Sequence, residues 1–416
     1  MSSLPKKAQS PKTLVFIFLI SCYHLFMVKF TVWLKNLFKK DIMLSVSLLA
    51  ALLSLFITPP SAELLHDINW RTLATLFMLL SVLEGFKSEN IFEPILRRAR
   101  QISSIKTLTV FLVFGVFFTS MFVTNDVSLI IFVPLTIILF RSAGKEKYIL
   151  PVLTFENIAA IRGSLLTPFG SPQNLFLYAK SGISTPEFLK MMSPLWIFSA
   201  GLLLLFIFVL YRKEIKSTDY VSSCAKDSCD GEVASKGLLA RKIMYQILFL
   251  IVVASIVSRT RYYPFVLAFV FITLLIGDRK ILLKTDYVLL LTFLCFFTFS
   301  SSICRHPVIS LFLQKSVAGH EYLWSILLSQ AISNVPASIV LYPFSTNLRA
   351  LLYGLDSAGL CSIIGSLASV INLRLYIREY PGKAFEFIKT FTWISLLFFA
   401  IVFLPQLSLI TILPPQ

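Results

Sequence analysis

Apolar residues run along the chain in long stretches: 14–34, 42–58, 70–86, 108–140, 149–180, 194–211, 243–258, 262–277, 287–304, 321–347, 350–377 and 391–413. A helix that crosses a bilayer needs about 20 predominantly apolar residues, and most of these stretches fit one crossing. Two do not. Residues 108–140 are too long for a single span, and both they and 321–347 carry a polar break at the middle: Thr124-Asn125-Asp126 in the first, Ser333-Asn334 in the second. Basic residues flank 108–140 on both sides, with Lys87, Arg97, Arg98, Arg100 and Lys106 before it and Arg141, Lys145 and Lys147 after it. Lys and Arg concentrate in cytoplasmic loops, so both ends of this stretch belong on one side. The pattern predicts a re-entrant hairpin with its tip at 124–126. Loops assigned to the cytoplasm on the same basis hold most of the 38 Lys and Arg. The stretch 14–34, interrupted by His24 and Lys29, is read as an additional span, with the lipobox-like "LISC" at 19–22 left uncleaved.

Composition narrows the class. The chain has 416 residues, 56% hydrophobic and 14% charged, with a mean hydropathy of +0.81. A soluble domain carries about 25% charged residues. This is an integral membrane protein, all-α by the length of its apolar runs. The net charge of +17 sits in short loops, where it sets topology, and no nucleic-acid signature accompanies it. The six Cys (22, 224, 229, 295, 304, 361) form no CxxC, and the four His (24, 66, 306, 320) form no HExxH. A metal centre is not expected. An intramembrane hydrolase would need a Ser–His dyad or facing Asp residues; no His lies near Ser164 and no second membrane Asp pairs with Asp126, so no enzyme is expected either.

The chain also repeats itself. "INWRTLATLFMLLSVLEGF" (68–86) answers "TDYVLLLTFLCFFTFSSSI" (285–303): an amide or acid, an aromatic, then an apolar run. "TNDVSLIIFVP" (124–134) answers "SNVPASIVLYP" (333–343), and "GSLLTPFGSPQN" (163–174) answers "GLCSIIGSLAS" (359–369). Three landmarks recur in one order. The reading divides the chain into an N-terminal extension (1–38), a first repeat (39–211), a polar cytoplasmic linker (212–242) and a second repeat (243–416). With the hairpins counted as no crossing, each repeat crosses five times, and an odd number turns the second upside down. That is the inverted-repeat plan of secondary transporters, which places substrate near the midplane at interrupted helices.

Irregular backbone at membrane depth is tolerated where it is buried in protein or lines a watery cavity. At each tip a new helix begins, and its unpaired N–H groups and positive dipole end favour an anion. Asn125 and Asn334 can each cap that helix or present an amide to a ligand. Arg162 is a costly residue at membrane depth. It can hold an oxyanion with its planar fork, or form a structural pair with Glu156 or Asp126. Glu84, Asp286 and Asp356 read as interfacial.

"TNDVSLIIFVP", "GSLLTPFGSPQN" and "ISNVPAS" resemble the ion transporter superfamily in its citrate-transporter-like branch, which includes divalent anion:sodium symporters, arsenite permeases and sodium/proton antiporters. The resemblance runs from about residue 40 to the C-terminus, and "TPFGSPQN" is its most specific piece. It implies scaffold helices, two mobile units each made of a hairpin and a broken helix, a homodimer, and an elevator motion. It also implies coupling ions at the tips, beside the substrate, at Asn125 with Asp126 and at Ser333 with Asn334. The chain departs from the family's pattern where Ile161 and Ser171 stand in place of Asn and where Arg162 follows Ile161. Losing two amides weakens the case for sodium. Gly163 and Gly170 still permit close backbone approach, while Pro168 and Pro172 interrupt the helix.

The expectation is therefore a secondary active transporter for a small anion, a di- or tricarboxylate first, in the cytoplasmic membrane. Arsenite or another oxyanion, sodium/proton exchange, and more remotely a channel are the alternatives. The expected substrate and ion site comprises Thr124, Asn125, Asp126, Arg162, Gly163, Ser164, Thr167, Gly170, Ser171, Asn174, Ser333, Asn334, Gly359, Gly365 and Ser366. No cofactor is expected beyond a coupling ion, either a proton carried by Asp126 or sodium at Asn125 and Asn334.

Overall fold

The computed structural model describes residues 42–59, 62–212 and 236–412. The stretch 14–34, Cys22, Cys224 and Cys229, and most of the expected linker lie outside the described residues. Within them the chain is helical, with no strand, and six helices are long and apolar enough to cross a membrane. Up to residue 212 the chain forms α1 (Ile42–Ile57), α2 (Ala62–Asp67), α3 (Trp70–Ser88), α4 (Glu93–Arg100), α5 (Ile105–Val123), α6 (Asn125–Ser142), α7 (Ile149–Ser164), α8 (Pro172–Ser181) and α9 (Thr185–Leu210). From residue 236 it forms α10 (Lys236–Val257), which begins within the expected linker, α11 (Tyr263–Lys284), α12 (Tyr287–Arg305), α13 (Pro307–Val317), α14 (Glu321–Ile332), α15 (Asn334–Leu341), α16 (Leu348–Cys361), α17 (Leu367–Glu379) and α18 (Ala384–Ile412).

The sequence landmarks take matching backbone roles. Asn69 (φ −79°, ψ 78°) and Asp286 (φ −76°, ψ 82°) cap α3 and α12, accepting from the N–H of Thr72 and Leu289. Each is also the centre of an inverse γ-turn, closed by Trp70 N–H to Ile68 O and by Tyr287 N–H to Thr285 O, both 2.9 Å. Packing follows the same pairing. α5 lies against α7 as α14 lies against α16, and α6 lies against α17 as α15 lies against α8. α1 lies against α12 as α11 lies against α3. α10 adds a helix against α3 and α11.

Each interrupted stretch folds back on itself. In the first, a Cβ on Gly115 of α5 would lie 2.6 Å from the Phe132 ring of α6, and Thr119 Oγ1 meets Ser128 Oγ at 3.3 Å. In the second, Glu321 at the start of α14 accepts from Thr346 N, Thr346 Oγ1 and Asn347 N, beyond α15, at 2.9, 2.7 and 3.2 Å. Ion pairs and ring contacts tie the helix ends together. They include Asp67 with Arg305, Glu89 with Arg241, Arg141 with Glu379, and Arg71 over the ring of Tyr263.

Candidate functional site

The two tips are built alike. Thr124 joins α5 to α6 with φ 73° and ψ 156°, and Ser333 joins α14 to α15 with φ 69° and ψ 160°. That region of backbone space is essentially reserved for glycine, and an L-residue there costs on the order of 1–3 kcal/mol. Two β-hydroxyl residues hold the same strained conformation at matched positions, and in each case the next residue is an Asn that opens a helix.

What the Asn side chains do locally is also similar. Asn125 Oδ1 accepts from Asp126 N–H at 3.0 Å, and Asn334 Oδ1 accepts from Ser333 Oγ at 3.4 Å. Both residues are buried, at 5% and 2% exposure. Each carbonyl accepts one donor within its tip, and neither Nδ2 has a partner among the described residues. The start of a helix leaves its first N–H groups without intrahelical acceptors. At the second tip one of these, Asn334 N–H, is taken by Gly365 O at 3.2 Å.

The helix breaks lie against the tips. α7 stops at Ser164 and α8 starts at Pro172, in the first-turn position where a proline is tolerated. Ser171 caps α8, and Asn174 Nδ2 donates to Ser164 O, Leu165 O and Thr167 O at 3.3–3.4 Å. Thr167 Oγ1 donates to Met121 O in the last turn of α5, which ties the first break to the first tip. The second break spans 362–366. Gln330 Nε2 of α14 donates to Ala358 O at 3.2 Å, and Ser362 Oγ donates to Gln330 Oε1. Gly170–Ser171 and Gly365–Ser366 sit equivalently, immediately ahead of α8 and α17.

The glycines are there for contact. A Cβ on Gly163 would stand 2.0 Å from Phe117 O, one on Gly170 2.3 Å from Ser164 O, and one on Gly365 2.0 Å from Ala358 O. A Cβ on Gly359 would meet Ser366 and Ile161 at 2.8 and 2.9 Å, so the breaks of the two repeats abut.

Arg162 is fully buried. Its Nη1 pairs with Asp356 of α16, and its Nη2 donates to Ser357 Oγ at 3.2 Å. With its amide oxygen turned toward the guanidinium, Gln406 of α18 accepts from Nη1 and Nη2 at 3.2 and 3.1 Å. This corrects two expectations. The partner of Arg162 is neither Glu156 nor Asp126, and Asp356 is not interfacial but 3% exposed in the interior. α16 begins at Leu348, so Asp356 lies eight residues in, about 12 Å along the helix. Glu156 instead accepts from Thr136 Oγ1 of α6. Asp126 has an inaccessible Oδ1 with no partner, and the structure does not bring it to Arg162.

Sequence reasoning missed Asp356, Ser357, Gln330 and Gln406 as members of this region. A signal existed for the first: Asp356 is the lone acid of the run 350–377, and Arg162 is the one base in the interior of 149–180, whose only other base, Lys180, stands at its end. No cluster of three or more His, Cys, Asp or Glu able to hold a metal occurs among the described residues.

The sequence pattern of a family described as citrate transporter matches residues 30–365. An uncharacterized transporter of Methanocaldococcus jannaschii is 30% identical over 333 residues, covering 80% of this chain and 87% of its own. The inner membrane protein YbiR of Escherichia coli is 29% identical over 323 residues, covering 74% of this chain and 80% of its own.

Proposed function

The chain belongs to the citrate transporter family and is a multi-pass membrane transporter rather than an enzyme, and from that premise we propose that it moves a small di- or tricarboxylate by proton-coupled secondary transport across the cytoplasmic membrane. The observation that carries this reading is the matched pair of tips. Each presents a helix N-terminus and an uncommitted Asn Nδ2, and such donors suit a carboxylate. Sodium would need several oxygen ligands, and Ile161 and Ser171 stand where the family's pattern has Asn. Asp126 is the group assigned to the proton, since one of its oxygens is buried and unpaired.

Uptake into proteoliposomes tests this. A pH gradient should drive citrate or a dicarboxylate to accumulate. Asp126→Asn should keep substrate exchange but lose the pH-driven accumulation. Accumulation driven by a sodium gradient at fixed pH, and indifferent to Asp126→Asn, would refute the proton assignment while leaving a carboxylate transporter.

The inverted arrangement is part of the same proposal. It makes α5–α6 and α14–α15 re-entrant hairpins entering from opposite sides, in two units that slide as elevators within a homodimer. Matched packing supports it, and so do the ties between helix ends. Each of the pairs Asp67–Arg305, Glu89–Arg241 and Arg141–Glu379 joins ends that loop charge assigns to one side. Single cysteines at Val113 and Thr136 should be labelled from the cytoplasmic side, and those at Ser325 and Pro343 from the outer side. Labelling of 113 and 136 from opposite faces would rule the hairpin out, because α5 and α6 are each long enough to span.

A further inference from the structure

The ends of α8 and α10 and the start of α9 line an open cavity of about 690 Å³, walled by Tyr178, Ser184, Thr185, Leu189, Val257 and Arg259 among others. Arg259 follows α10 with a left-handed φ of 48°. Its Nη2 donates to Tyr178 O, and its guanidinium lies 4.0 Å from the centre of the Tyr178 ring. The Tyr178 hydroxyl in turn bonds to Thr185 Oγ1 at 2.7 Å and to Val257 O at 3.2 Å. Arg71, at the start of α3, is close enough to Arg259 for the two positive charges to interact.

A structural role explains part of this. An arginine at a helix C-terminus commonly satisfies a last-turn carbonyl, and Tyr178 O is such a group. That role uses Nη2 only. Arg259 Nε is inaccessible and unpaired, and neither Arg259 nor Arg71 has a carboxylate partner among the described residues. Glu187, which follows the lining residue Pro186 in the chain, is committed to Ser184 N and Oγ at 2.8 Å each. Two neighbouring guanidinium groups without a counter-ion repel each other and attract an anion. Tyr178 also lies six residues beyond Pro172, about 9 Å along α8 from the first helix break.

We propose that this cavity is an antechamber that binds a small carboxylate anion on Arg259, with Arg71 adding to the field, before it reaches the transport site. The assignment rests on the carboxylate-transporter reading above. The recognising chemistry is an oxyanion on a guanidinium fork, and a phosphate headgroup of an anionic lipid shares it.

The test is citrate titration by calorimetry on the Asn125→Ala, Asn334→Ala protein in phosphatidylcholine nanodiscs, where the transport site is disabled. Residual binding should remain and should weaken about tenfold in Arg259→Gln, as expected for loss of a charge-assisted contact. Leu189→Trp, which narrows the cavity beside Arg259 and leaves both arginines, should weaken it too. In the otherwise native protein either change should raise KM for uptake about tenfold with kcat unchanged. Phosphatidylglycerol nanodiscs separate the two sources: Arg259-dependent competition by that lipid assigns the site to a headgroup, and its absence assigns it to the free anion. If citrate and phosphatidylglycerol both bind without dependence on Arg259 or Leu189, and KM is unmoved, the antechamber is refuted. Arg259-dependent binding in a protein that moves no carboxylate would instead refute the transport reading and leave the site standing.

Discussion

Alanine at Asn125 or at Asn334 should abolish carboxylate uptake without unfolding the protein. Each side chain places its Oδ1 on a donor inside its own tip and leaves Nδ2 for a ligand. A hydrogen bond to a charged group is worth about 1.5–3 kcal/mol, so losing one amide alone costs roughly ten- to a hundredfold in affinity. The tip conformation multiplies the effect. Thr124 and Ser333 hold glycine-like dihedrals, and the neighbouring amide helps keep the first turn where the ligand meets it. Stability should fall much less, because removing a helix-start Asn costs about 1 kcal/mol. Uptake and melting temperature are measured on the same preparations, with Asn125→Asp and Asn334→Asp as companions. Those two variants keep the size and the capping oxygen but lose the N–H donor, so they should fold and remain inactive. Uptake retained in the double alanine variant would reduce both residues to caps.

Much of this site was legible in the sequence because it rests on residues whose backbone demands are distinctive. Pro172 and Pro168 marked the end of a continuous helix. Gly163 and Gly170 marked close approach, and a Cβ at each would meet a backbone oxygen at 2.0 and 2.3 Å. Asn69 and Asp286 were visible as equivalent landmarks, although their shared γ-turn was not. Other features left no such trace. Nothing in a Thr or a Ser announces a positive φ; the tip imposes it, since one residue must reverse the chain between two packed helices. Long-range polar partners were equally hidden. Gln330 and Gln406 read as ordinary polar residues within apolar runs, and only packing brings them to Ala358 and to the Arg162–Asp356 pair. Asp356 was misread because it lies near the start of its apolar run. The helix begins two residues before that run and carries the carboxylate inward.

Removing either charge of the Arg162–Asp356 pair should destabilise the protein severely, and removing both should restore much of the loss. The pair joins α7 to α16 and so links the two helix breaks. Both side chains are within 4% of complete burial. An isolated charge left in such a place costs about 3–5 kcal/mol, whereas replacing a buried pair by neutral groups of similar volume is often close to neutral. Arg162→Gln and Asp356→Asn should therefore each lower the melting temperature sharply. The double variant should melt nearer the wild type, a coupling larger than additive sites give. Arg162→Lys should be intermediate, since an ammonium keeps the charge but cannot reach Asp356, Ser357 and Gln406 together. The same set of variants decides between two roles for Arg162. As a clamp between repeats, it loses stability and uptake together, and the double variant recovers both. If it held the substrate directly, Arg162→Gln would melt normally, fail to transport, and gain nothing from Asp356→Asn.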